Sequence, residues 1–238
     1  MSFTEKLIQA YFNLAYNQLY DFTTAKLQCY QGLQRRCIGK LDFRDDDRLL
    51  CVGVGTGNEI ISIVEMNRNV NIVGVDYSNT GLQKLRKKAL KINKEIRTIV
   101  MDARRLEFPT GSFDKALCLH VVDFLEEHRQ VTSEILRILK DGGQFVITYP
   151  SEKEGAKLGT NILRDIYRHN TSSRNYVIGL LTFLAQAAMG AVYLPLVLRR
   201  KRSYSRSELQ TVFSQLTPTD FEIEEYLAYQ DFIAYGRK

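Results

Sequence analysis

The chain has 238 residues, 45% of them hydrophobic and 25% charged, with a net charge of +6. These totals suit one packed α/β domain with room for an insertion, and they exclude a low-complexity or disulfide-stapled chain. The charge excess is too modest for a surface that tracks nucleic-acid phosphates, so no nucleic-acid partner is expected.

Basic residues gather at Arg35–Arg36, in QKLRKKALKINK from Gln83 and in RRKRSYSR from Arg199. The middle group reads as a solvated helix face. The last abuts an apolar run, where attraction to an anionic membrane surface is the sharper reading. Cys29, Cys37, Cys51 and Cys118 show no CxxC spacing. The start MSFTEKLIQAY lacks the apolar core of a signal peptide. Both features point to a reducing, cytoplasmic setting, with peripheral membrane contact as an added expectation.

In chain order, residues 4–38 read as helical, with Leu7, Tyr11, Leu14 and Ala15 on one face and an unusual share of tyrosines. RLLCVGVG from Arg48 is a buried strand ending in glycine. NEIISIVEMN follows as a helix, NIVGVD as a second strand and SNTGLQKLRKKALKIN as a second helix. RTIVMD, FDKALCLHVV and GGQFVITYP supply three more strands, with EEHRQVTSEILRILK as the helix before the last. SRSELQTVFSQL opens on a capping box, Ser205 with Glu208, and DFEIEEYLAY and QDFIAYGRK close the chain as two strands.

This alternation predicts a doubly wound, Rossmann-like α/β fold. Its sheet is mostly parallel with an antiparallel last strand. An N-terminal helical extension and a helical apolar insertion after the fifth strand complete it. The expected layout is one domain: helices over residues 1–44, a cofactor-binding core over 45–150, an apolar lid over 151–204, and completing elements over 205–238.

Gly53-Val54-Gly55-Thr56-Gly57 follows the first strand. The third glycine comes one residue earlier than in a dinucleotide fingerprint, and Asn58 and Glu59 follow it, so pyrophosphate is a less natural ligand. Asp76 closes the second strand and Asp102 the third. Three successive strand ends thus carry turn or polar groups at the carboxyl edge, where open α/β sheets bind ligands.

LLCVGVGTG, GVDYS, MDARRLEFPTGSFDKAL and LKDGG resemble the successive motifs of class I S-adenosylmethionine-dependent methyltransferases. LEFPTGSFD and the Tyr20-Asp21 pair are most similar to ubiquinone/menaquinone-type C-methyltransferases and bacterial phospholipid N-methyltransferases. The resemblance implies S-adenosyl-L-methionine as cofactor. It implies that Gly53, Gly55, Thr56 and Gly57 border its methionyl and adenosyl parts, and that Asp76, beside Tyr77, binds the ribose. Asp102 and Ala103 would meet the adenine, Leu119 and His120 its other side, and Tyr20 would approach from the N-terminal helix. One departure stands out: family members carry Asp or Glu two residues before the first glycine, and this chain has Cys51.

Methyl transfer from a sulfonium asks the protein to align a nucleophile and exclude water, so no triad is expected. His120 is the candidate base, at the end of a strand beside the cofactor edge; a cofactor-wall or core role is its plainer reading. His128 reads as a surface residue at a helix start and His169 as a loop residue within reach of substrate. No His/Cys/Asp grouping has metal-ligand spacing, so no metal is expected.

Tyr176 to Leu198 is a run of 23 residues without a charge, long enough to span a bilayer. A single crossing would separate strands that must share one sheet. Two readings stand: a satellite core packed over the domain, or a lid that holds a hydrophobic substrate or dips into the interface. Cover could also come from a second subunit, making a homodimer. The reading is a methyltransferase for a hydrophobic or amphipathic small molecule, lipid-like or quinone-like, at a membrane surface. Its rivals are a soluble natural-product methyltransferase and a cofactor-binding interaction protein without turnover.

Overall fold

The computed structural model of the chain describes residues 27–66, 69–152 and 203–238, together with residues 10, 13, 20, 21, 24, 160, 164, 165, 167, 168 and 184. The apolar run over 176–198, His169 and most of the expected N-terminal helix face therefore lie outside the described residues.

Seven strands form one sheet: β1 (Arg48–Val52), β2 (Asn71–Asp76), β3 (Arg97–Val100), β4 (Phe113–Cys118), β5 (Leu139–Pro150), β6 (Asp220–Tyr226) and β7 (Asp231–Arg237). Their order is β3-β2-β1-β4-β5-β7-β6. The first five run parallel, and β7 lies antiparallel between β5 and β6. Apolar runs such as Leu49-Leu50-Cys51-Val52 are buried along their whole length, because helices cover both faces of a doubly wound sheet.

The helices are α1 (Gln28–Ile38), α2 (Asn58–Glu65), α3 (Asn79–Lys91), α4 (His128–Ile138) and α5 (Arg206–Leu216). Two cores result. Leu33, Cys37, Leu49, Cys51, Ile60 and Leu85 pack on one face of the sheet. Leu50, Val52, Phe113, Ile135, Phe145 and Phe213 pack on the other. The α5 capping box forms as expected: the Glu208 N–H donates to Ser205 Oγ at 3.2 Å and the Ser205 N–H to Glu208 Oε2 at 2.8 Å.

Several boundaries differ from the sequence reading. RTIVMD ends as a strand at Val100, and the Met101 N–H turns to donate to Asp76 O at 3.0 Å. FDKALCLHVV stops at Cys118; His120 then takes a left-handed φ of 56°, and Val122–Phe124 form a 3-10 turn. The helix read through Lys140 ends at Ile138, and Leu139 to Asp141 are instead the start of β5. Its reason is tertiary: the Gly142 N–H donates to Lys238 O at 2.9 Å and the Lys238 N–H to Gly143 O at 3.0 Å, so the last residue of the chain pairs beside it. His128 is not a surface residue. It is 6% exposed, its ring 5.0 Å from that of Tyr204, because the chain returning to the sheet covers the start of α4.

That return bears on the apolar run. Ser151 and Tyr204 form a bridge; the Tyr204 N–H donates to Pro150 O at 2.8 Å and the Glu152 N–H to Tyr204 O at 2.9 Å. The chain leaves the sheet and rejoins it at adjoining positions, which a single bilayer crossing between them would pull apart. Among the described residues no helix is long and apolar enough to cross a membrane.

Candidate active site at the carboxyl edge of the sheet

The glycine loop leaves β1 in a left-handed path, with φ of 68° at Gly53, 49° at Gly55 and 74° at Gly57. Glycine is required where that path is also crowded. A Cβ on Gly53 would lie 2.0 Å from Val121 Cγ2, and one on Gly57 would lie 2.3 Å from Leu85 Cδ1. A Cβ on Gly55 would meet nothing within 4 Å. The loop is thus tightly seated below and open above its middle glycine.

Asp76, at the end of β2, holds the loop in place. Its Oδ2 accepts from the Gly55 N–H and its Oδ1 from the Ser78 N–H, each at 2.7 Å. Burial pushes this carboxyl upward in pKa, and the two N–H donors pull against that shift. Tyr77 follows it with its hydroxyl buried. The N-terminal segment reaches the same loop: the Thr56 hydroxyl donates to Asp21 Oδ1 at 2.6 Å. Lys88 Nζ lies 2.6 Å from Asp21 Oδ1 and 2.6 Å from Asn58 Oδ1. Burial lowers the Lys88 ammonium, and Asp21 opposes that. Lys88 therefore leaves the solvated face expected for its cluster and turns inward, because α3 packs against the loop.

Asp102 lies beyond the end of β3 and is engaged by Arg104, whose guanidinium meets Asp102 Oδ2 at 2.7 Å and whose N–H donates to Oδ1 at 2.9 Å. Burial works to raise this carboxyl, but Arg104 holds it below its usual range. Ala103 is half-buried against one core and Leu119 against the other.

His120 stands at the end of β4, its backbone N–H donating to Thr148 Oγ1 at 2.9 Å. Two buried carboxylates face its ring: Nδ1 lies 3.3 Å from Asp231 Oδ2 and 3.6 Å from Asp123 Oδ2. Tyr30 stacks on the imidazole at 5.6 Å between centroids, and Tyr229 tilts against it at 5.1 Å. The Tyr20 and Tyr30 hydroxyls are hydrogen-bonded to each other. The structure thus joins Tyr20, the glycine loop, Asp76 and His120 along one edge.

Sequence reasoning missed Asp21, Lys88, Asp123 and Asp231 as members of this edge. Asp123 had a local signal, standing three residues after His120. Asp231 had none, because only the antiparallel insertion of β7 beside β5 brings it there.

Residues 50–147 match the family described as "Methyltransferase domain". The chain is 34% identical over 133 residues to a phosphatidylethanolamine N-methyltransferase of Cereibacter sphaeroides, covering 54% of this chain and 62% of that protein. It is 27% identical over 124 residues to a demethylmenaquinone methyltransferase of Thermus thermophilus, covering 52% and 56%. The chain thus spans little more than half the length of these relatives. Among solved structures it resembles Haemonchus contortus phosphoethanolamine N-methyltransferase 2 in complex with S-adenosyl-L-methionine, with a TM-score of 0.60 at 16% identity, over 89% of this chain and 46% of that one. At that identity the likeness speaks for the fold. The strand order, the glycine loop and Asp76 lie within the segment, residues 50–147, over which the chain is similar to that methyltransferase-domain family.

Proposed function

We propose that the protein is an S-adenosylmethionine-dependent methyltransferase acting on a hydrophobic or amphipathic small molecule, lipid-like or quinone-like. The observation that carries this reading is the single edge on which an open-topped glycine loop, the anchored carboxylate of Asp76 and the carboxylate-flanked imidazole of His120 stand together. The names of the relatives, a phospholipid N-methyltransferase and a menaquinone-precursor methyltransferase, support the substrate class.

The residues present fit the cofactor. The space over Gly55 admits a ligand close to backbone, and Asp76 keeps acceptor capacity for ribose hydroxyls after taking its two N–H donors. In this reading Gly53, Gly55, Thr56 and Gly57 border the methionyl and adenosyl parts, with Tyr77 beside the ribose and Tyr20 on the N-terminal side. Leu119 and His120 form the facing wall, and Asp102 and Ala103 meet the adenine, Asp102 doing so while engaged with Arg104. Bound there, the cofactor supplies a methyl group already activated on a sulfonium. The chain's own task is to hold the acceptor in line and keep water out. Asp231 and Asp123 face the His120 ring at Nδ1, and in this reading the imidazole takes a proton from the acceptor. Tyr30 and Tyr229 wall that position with apolar surface.

Residues 151–204 serve in this reading as the lid for the apolar part of the substrate, in a single domain spanning the chain, with the basic run from Arg199 toward lipid head groups. The test is transfer of labelled methyl from S-adenosylmethionine into a total cell extract partitioned between organic solvent and water. Label in the organic phase is expected, and its loss by a hundredfold or so in His120→Ala at saturating cofactor is expected for a general base. Label confined to water would overturn the lipid-like class. A second reading, cofactor binding without turnover, draws on Cys51, and no label in either phase with cofactor bound would establish it.

A further inference from the structure

His120 is held from more sides than a wall residue requires. It follows β4 with a φ of 56°, a left-handed conformation uncommon for a residue with a side chain. Its backbone N–H donates to Thr148 Oγ1 of β5 at 2.9 Å, which anchors the turn. Tyr30 of α1 stacks on the ring, and Tyr229, between β6 and β7, tilts against it. Asp231 opens β7 opposite Pro150 of β5, and its Oδ2 stands 3.3 Å from Nδ1. Asp123, in the 3-10 turn after β4, is second at 3.6 Å. α1, β5 and the terminal hairpin thus converge on one imidazole. Surroundings that over-determine an unusual backbone conformation point to a role for the residue that adopts it.

Exposure separates the parts. The His120 side chain keeps 16% of its surface, whereas Asp231 keeps none and Asp123 keeps 2%. A ligand at the carboxyl edge can therefore touch the imidazole, and it meets the two carboxylates only through that ring. Val121, the next residue, ties this turn to the glycine loop, since Gly53 has no room for a Cβ beneath its side chain. A carboxylate facing one imidazole nitrogen sets which nitrogen carries the proton, and it favours the ring's positive charge.

We propose that Asp231, delivered by the terminal hairpin, is a positioning residue that makes His120 the base for methyl transfer. This rests on the S-adenosylmethionine reading above. As the acceptor forms its bond to the methyl carbon, the carbon–sulfur bond breaks with its electron pair left on sulfur. The acceptor's proton passes to Nε2 of His120 while Nδ1 keeps its own, and the ring becomes cationic. Asp231 holds the Nδ1 side and balances that charge, with Asp123 as a second negative charge. The last strand, far in sequence from the glycine loop, thereby belongs to the active site.

Two readouts test this. The first needs no acceptor: long-range proton–nitrogen NMR of the imidazole rings, with the His120 signals identified by their loss in His120→Ala. At a pH where the ring is neutral, its proton is expected on Nδ1. In Asp231→Asn the ring is expected to titrate at lower pH. The second readout follows labelled methyl from S-adenosylmethionine into the organic phase of a total cell extract, across pH. Asp231→Asn is expected to lower the rate at saturating cofactor roughly ten- to a hundredfold. It should leave the KM for S-adenosylmethionine unchanged and move the acid limb of the profile to lower pH. A neutral ring protonated on Nε2, or an unmoved pH profile in a folded Asp231→Asn, overturns the assignment. If Asp231→Asn does not fold, the tautomer in the unmodified protein decides. No transfer by the unmodified protein would overturn the transferase reading instead, and the ring proton would still report on the His120–Asp231 pair.

Discussion

At the scale of single residues, Asp76 ties the glycine loop to the end of β2, and the proposed function gives the same carboxylate a part in binding. The Gly55 N–H holds the loop to it and the Ser78 N–H holds the start of α3. Asp76→Ala is expected to weaken S-adenosylmethionine by about 1–3 kcal/mol, measured by calorimetry. Gly81 is a quieter constraint. A Cβ there would lie 2.8 Å from Gly55 O, a backbone atom that cannot swing aside. Gly81→Ala should push α3 off the loop, lowering both the melting temperature and cofactor affinity, whereas an alanine accepted without change would show that the loop yields. Glu59 adds a pH dependence. Its folded pKa of about 8 lies above its ordinary 4.5, so the folded state binds the extra proton between those values. Its stabilising share is full below the unfolded pKa and is lost as pH rises toward the folded one, at about 1.4 kcal/mol per pH unit. Thermal melts of the ligand-free protein from about pH 5 to pH 8 should therefore show the unmodified chain losing stability relative to Glu59→Gln.

At the scale of elements, local chemistry and long-range pairing part company. The α5 start was legible because a capping box is a four-residue pattern, and both of its hydrogen bonds form. Ser205→Ala should cost about 1 kcal/mol in a denaturant titration. β5 was legible from Gly142 on. Leu139 and Lys140 read as the end of a helix, and they open the strand instead because Leu139 pairs with Phe113 of β4. The glycine loop and Asp76 could be found in sequence because strand ends and their glycines are local. Lys88 could not, since a basic run such as QKLRKKALKINK gives no sign of which lysine faces inward.

At the scale of the whole molecule, the terminal hairpin completes the structure. β7 pairs with β5 over residues 231–237 and brings Asp231, fully buried, to His120. A chain ended before β6 would expose the edge of β5 and leave Phe145 and Phe213 half covered. It is expected to lose its cooperative thermal transition, as followed by circular dichroism. A retained sharp transition would show that the first five strands suffice.

The sequence by itself determined the alternation of strands and helices, the glycine loop, the place of Asp76 at the end of β2 and the cap of α5. All of these are written in neighbouring residues, through periodicity, backbone freedom or side-chain reach. Only the tertiary structure decided that Asp231 faces His120, that Lys88 turns inward to Asp21, and that His128 and Glu59 are buried. Each of these depends on which elements the sheet order brings together, and a left-to-right reading of the chain carries no measure of that distance.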